Sequence, residues 1–153
     1  MTEPVPGPLE PTSDERTMAT LAQVLQLVGW WIAPLVIFLV KRDSRFVSFH
    51  ALQALLLQIV WMVIGGVLII GWMAIIFSTV AFHPQGSSGP PPPIFFVFPL
   101  FWLGWMVLWA GMLVVAIVYG IKAGRGEWAA YPVIGSLARR ILKIAPDGTP
   151  LPA

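Results

Sequence analysis

The stretch from Phe46 to Phe82 constrains this chain most. It holds no Lys, Arg, Asp or Glu, contains no turn-forming cluster, and follows directly on the basic loop Lys41-Arg42-Asp43-Ser44-Arg45. As one helix at about 1.5 Å per residue it reaches roughly 55 Å, against a hydrocarbon core of about 30 Å. Nothing divides it into two spans. The length therefore places residues 46–53 in the membrane interface and the crossing at residues 54–76. Gly65-Gly66 and Gly71 mark a bend or a close helix contact along the way.

Composition agrees with a bilayer as solvent. The chain is 58% apolar and 10% charged, far from the balance of soluble domains. At 153 residues it could not bury that much apolar surface in its own core. The absence of cysteine excludes disulfides, thiolate metal sites and thiol nucleophiles. No basic segment precedes the first apolar run, so a cleaved secretory leader is not expected. Glu3, Glu10, Asp14 and Glu15 argue against a transit peptide.

The expected fold is an all-α membrane protein with three transmembrane helices. Residues 1–16 read as a disordered acidic tail, although Ser13-Asp14-Glu15 has the composition of a helix start. A helical membrane domain over residues 17–145 follows. Its first span is residues 21–40, with Gln23 and Gln26 on one face and a kink at Pro34. The second is the crossing just described. Residues 83–93 are a proline-rich loop of polyproline II character. The third span is residues 94–121, with Trp102, Trp105 and Trp109 on one face and a small-residue ladder of Ala116, Gly120 and Gly124. A polar turn leads to an amphipathic interfacial helix at residues 136–144, and residues 146–153 read as a frayed tail.

Lys41, Arg42 and Arg45 lie in the first loop, while Lys122, Arg125, Arg139, Arg140 and Lys143 follow the third span. The positive-inside rule then gives an N-out, C-in orientation for the three spans. Lys41, Arg42, Arg45, Arg139, Arg140 and Lys143 are expected to meet the anionic headgroups of the cytoplasmic leaflet. Such an edge-bound distribution argues against nucleic acid. A homo-oligomer or a larger membrane complex is compatible with it.

This topology brings His50 and Gln53 to the same membrane side as Glu127, Tyr131, Pro132 and Gly135. A His–Glu or Gln–Tyr contact between the two helix ends is expected. His50 could relay protons or bind a ligand, yet an interfacial histidine more often bonds a neighbouring group. Glu127 could meet a substrate, but pairing with nearby basic residues is the commoner use. Gln58 must face protein, because an unpaired amide in hydrocarbon is costly, and Gln23 or Gln26 are its natural partners. No catalytic set emerges. His50 and His83 fall on opposite membrane faces and cannot share a metal, and no second carboxylate accompanies Glu127 for acid–base work. No cofactor is implied.

Two blocks carry a resemblance: Arg45-Phe46-Val47-Ser48-Phe49-His50-Ala51-Leu52-Gln53-Ala54, and Gly120-Ile121-Lys122-Ala123 with Gly126-Glu127-Trp128 and Tyr131-Pro132-Val133-Ile134-Gly135. Together they resemble the Tic-complex channel-subunit family of chloroplast protein import and its small, uncharacterised bacterial membrane relatives. The resemblance points to a bacterial relative, and with it the expected protein is a non-enzymatic, multi-pass protein of a bacterial inner membrane with an assembly or accessory part in a membrane complex, related to translocation. The alternatives are a small transporter or channel subunit with a polar cytoplasmic mouth and, more remotely, a lipid-headgroup enzyme.

Overall fold

A computed structural model describes residues 10–82 and 94–151. The proline-rich loop, His83 and most of the acidic tail lie outside the described residues. Five helices form in chain order: α1 (Ser13–Gly29), α2 (Ile32–Val40), α3 (Arg45–Phe82), α4 (Ile94–Gly124) and α5 (Ile134–Leu142). Two of them, α3 and the Phe95–Gly124 part of α4, are long and apolar enough to cross a membrane.

α1 starts inside the stretch read as tail. Thr12 caps it: the Glu15 amide donates to the Thr12 hydroxyl and the Thr12 amide to the Glu15 carboxylate, a reciprocal capping box. The helix expected over residues 21–40 is broken at Trp30-Trp31, with Trp30 at φ 52°. Pro34 is the reason. It lacks an N–H, and its ring collides with the carbonyl four residues earlier, which belongs to Trp30. The helix stops there and restarts as α2, so no single helix spans residues 21–40.

The chain divides into two units, residues Met1–Ile59 with Val114–Ala153, and residues Val60–Leu113. In the first unit, residue pairings fix the direction of each helix. Ala19 clusters with Phe46, Gln23 bonds His50, and Gln26 bonds Gln58. The numbers rise together, so α1 runs parallel to the start of α3. Thr20 and Gln23 meet Gly124 and Gly120, so α1 runs antiparallel to the end of α4. The beginning of α1 also meets the end of α2, where Lys41 Nζ lies 2.7 Å from Asp14 and the Ser44 hydroxyl 2.6 Å from Glu15. α1 and α2 therefore form a hairpin that goes out and comes back.

Residues 46–54 of α3 are buried on every side. Phe49 and Leu52 pack with Ala138 and Ile144, supported by Phe38 of α2 and by Trp128. The small-residue ladder of α4 packs on α1: a methyl group at Gly120 would stand 3.2 Å from Val24, and one at Gly124 3.1 Å from Thr20. Of the tail expected to fray over residues 146–153, the described part to residue 151 folds back instead. Asp147 caps Thr149, the Ala145 amide donates to the Thr149 carbonyl, and Ile144 bridges Pro150.

In the second unit, rings of α3 and α4 interleave. Trp61 meets Trp105 edge-on at 4.8 Å, and Trp72 stacks on Phe101 at 4.8 Å. Gly65 makes room for the Trp105 ring, while Gly66 and Gly71 face open space. Trp102 and Trp109 point outward. α3 passes through the glycines as one helix.

Candidate functional site

The polar side chains of the first unit gather into one buried knot. Gln23, Gln26, His50 and Gln53 are fully buried, Gln58 is 1% exposed and Tyr131 3%. His50 Nε2 lies 3.1 Å from the Glu127 carbonyl. A carbonyl only accepts, so Nε2 carries the proton and Nδ1 is left as an acceptor, 3.5 Å from the Gln23 amide nitrogen. That same nitrogen donates to the His50 carbonyl at 3.1 Å. The Tyr131 hydroxyl donates to Gln23 Oε1.

Gln53 clamps the loop after α4 with both ends of its amide. Nε2 donates to the Ala129 carbonyl at 3.2 Å, and Oε1 accepts from the Tyr131 amide at 2.6 Å. Gln58 Nε2 donates to the Gln26 carbonyl at 2.8 Å, and Gln26 Nε2 to the Gln23 carbonyl at 2.7 Å. Among the described residues, Gln26 Oε1 is the acceptor of this group that has no partner. Tyr119 closes the edge, its hydroxyl on the Ala130 carbonyl at 3.2 Å and its ring edge-on to Tyr131 at 4.2 Å. Burial raises the Tyr131 phenol above its ordinary value.

The contacts between the two motif blocks thus run largely from side chain to backbone. Glu127 contributes its carbonyl, and its own side chain is exposed. Pro132 is exposed at the head of a strained turn. Val133 has φ 64° and ψ −57°, and the Ile134 amide donates to the Pro132 carbonyl at 2.7 Å. This is a γ-turn in its positive-φ form, which costs about 1–3 kcal/mol for a non-glycine residue. It reverses the chain so that α5 can return over α3. Gly135 is required there, since an added Cβ would stand 2.5 Å from Ala130 Cβ and 2.8 Å from its Cα.

The basic residues divide. Lys41 pairs with Asp14, whose hydrogen bond raises the lysine's pKa, while Arg42, Arg45, Arg140 and Lys143 are exposed. Arg139 turns inward. Its guanidinium donates to the Trp128 carbonyl at 3.1 Å and lies 5.5 Å from the Phe49 ring centre. It braces the fold where the sequence suggested a headgroup contact. Among the described residues no cluster of three or more His, Asp or Glu could hold a metal ion.

Sequence reasoning missed Trp128, Arg139 and Tyr119 as parts of this assembly. Trp128 contacts both Phe46 and Phe49. Its place inside the GEW block was the available signal.

Chemically, the arrangement consumes its polar groups in holding chain segments together. The sequence model of the magnetosome magnetite crystal formation protein family matches residues 14–138. The chain belongs to that family. It is also similar to a UPF0132 membrane protein of Methanocaldococcus jannaschii, with 27% identity over 121 residues that cover 76% of this chain and 65% of the relative. No solved structure matches it.

The family match replaces the Tic-complex resemblance. It spans both motif blocks, and nothing links the chain to the import channel. The translocation role gives way with it. The physical reason lies in the blocks themselves. They encode a joint between helix ends, and a joint constrains fold without fixing function.

Proposed function

We propose that this member of the magnetosome magnetite crystal formation protein family acts in crystal formation as a non-enzymatic, multi-pass protein of a bacterial inner membrane. Its family supplies the process. One observation supports the architecture: α1 runs parallel to α3 and meets the loop that follows α2. In a bilayer, α1 and α2 then form a re-entrant hairpin, and α3 and α4 make the two crossings. Both ends of the described chain fall on one side. No Lys, Arg, Asp or Glu lies between Arg45 and Lys122. All nine Lys and Arg residues then gather on that side, Arg16 included, where a three-span N-out arrangement strands Arg16 outside. The positive-inside rule makes this the cytoplasmic side.

The absence of free reactive groups in the knot supports a non-enzymatic role, with the charged rim as the working surface. The experiment uses a magnetite-forming bacterium deleted for its own family member. The expected result is that the tagged chain fractionates with crystal-bearing membranes and restores crystal size. Its absence from those membranes, or unchanged crystals, would overturn the role. For the architecture, Ser13→Cys and Thr149→Cys should be labelled by an impermeant thiol reagent from the same side of a sealed vesicle. Labelling from opposite sides would restore three spans.

A further inference from the structure

We propose that the outer face of α5 docks into the interfacial layer of a bilayer carrying anionic headgroups, and that Arg140 and Lys143 are the residues that read the charge. The inference rests on the membrane architecture above, because it needs α5 to lie at the bilayer edge.

At 100° per residue, α5 and its flanking residues divide into three sectors. The first holds Gly135 and Ala138, which are buried, with Ala138 packed on Phe49 and Leu52. The second holds Val133, Leu137 and Ile141, spaced four apart, which are 85%, 47% and 53% exposed. The third holds Ser136, Arg140 and Lys143, all exposed. The protein therefore uses one side of α5 and leaves an apolar stripe beside a basic one. Arg139 leaves the basic stripe to brace Trp128, so the headgroup-facing set is smaller than the sequence alone implies.

Two further observations favour a lipid surface over a protein partner. α5 contains no Asp or Glu, so its outward charge is uniformly positive. An apolar stripe flanked by cations, with no acidic counterpart, matches the two-layered chemistry of an anionic bilayer edge. The second observation is Val133. A β-branched apolar residue sits at positive φ and points outward, in a turn that also seats Gly135. Within water this exposure leaves the apolar side chain hydrated. Within an interface the side chain is solvated by acyl chain. Because Ala138 and Ile144 are packed on α3, the stripe is held at a fixed register to that helix.

The natural absence of cysteine allows a direct test on the full chain. Nitroxide labels are placed singly at Leu137→Cys, Ser136→Cys and Ile69→Cys, and the protein is reconstituted in phosphatidylcholine vesicles with and without phosphatidylglycerol. Accessibility to oxygen and to a water-soluble nickel chelate is then read by spin-label saturation. The expected oxygen-to-nickel ratio at 137 exceeds that at 136 several-fold, and phosphatidylglycerol raises it further. The double variant Arg140→Ala/Lys143→Ala should lose the phosphatidylglycerol response. Equal ratios at 136 and 137, with 69 in the bilayer, would overturn the docking alone. A label at 137 reached by neither reagent would show protein covering the stripe and overturn it in favour of a second copy. An unchanged lipid response in the double variant would overturn the charge reading. A water-exposed label at 69 would overturn the membrane architecture and the docking with it.

Discussion

Residues 46–59 and residues 60–82 belong to one helix and obey different rules. In the first stretch His50, Gln53 and Gln58 are buried and each reaches a backbone carbonyl on another segment. In the second, most side chains are apolar and exposed, and the contacts to α4 are ring against ring. Directional bonds to fixed carbonyls specify which segments meet. Aromatic packing fills space and tolerates replacement, because acyl chains can occupy what a side chain vacates. One helix thus carries a specifying end and a packing end.

Gln53→Leu should break the first region most severely. It leaves the Ala129 carbonyl and the Tyr131 amide buried without partners, at about 1–3 kcal/mol each, so a large drop in the unfolding midpoint in mild detergent is expected. A loss no greater than that of Ile69→Ala would erase the contrast between the two stretches. Next comes Gly135→Ala, which forces a Cβ against the Ala130 backbone and should cost about 1–3 kcal/mol. The measurement is hydrogen exchange across residues 134–142, which should become faster while the second unit stays protected.

In the packing region Trp105→Ala removes the contacts with Trp61 and Phe101. About 0.5–1.5 kcal/mol per ring pair is expected, and Trp105→Phe should recover most of it. Failure of Phe to rescue would mean that this region is as specific as the knot.

The smallest effect lies at the rim and depends on pH. The Ser44 hydroxyl, with the Thr12 amide, holds the Glu15 carboxyl below its ordinary value of 4.5. A carboxyl depressed in the folded state stabilises the fold above its unfolded pKa, and that contribution disappears as pH falls through the folded value. The midpoint should therefore drop on acidification below about pH 4.5, slightly, because the group is partly exposed and screened by solvent. Ser44→Ala should flatten the drop, and an identical acid profile in that variant would remove Glu15 as its cause.

Much of the frame was legible in the sequence. The uncharged run from Phe46 to Phe82 sets the length of α3 almost to the residue, and Ile94 opens α4 as expected. Gln58 needs a buried partner in any apolar helix, and α1 supplies it. The hairpin was not legible. Residues 21–40 have the length and hydropathy of a span, and a proline kink and a proline break have the same local signature. Only the pairing of Asp14 with Lys41 and of Gln23 with His50 separates them, and both pairs are 27 residues apart. The use of the Glu127 carbonyl in place of its carboxylate was hidden for a related reason: sequence displays side chains, whereas this loop is gripped by its backbone. Arg139 was misplaced because helical periodicity gives a face but not what the neighbouring helix presents to it.

The break at Trp30-Trp31 also bears on how the molecule is made. Nine residues of α2 are too short to span a bilayer alone, and the Gln23 side chain and the Gln26 carbonyl find partners on α3 and on the loop beyond α4. α1 thus depends on α3 and on the loop beyond α4 for polar partners that lie far away in the sequence. Variants of Gln23 should accordingly accumulate with α3 and α4 inserted and α1 open to proteolysis, a half-built state that variants of the aromatic contacts would not share.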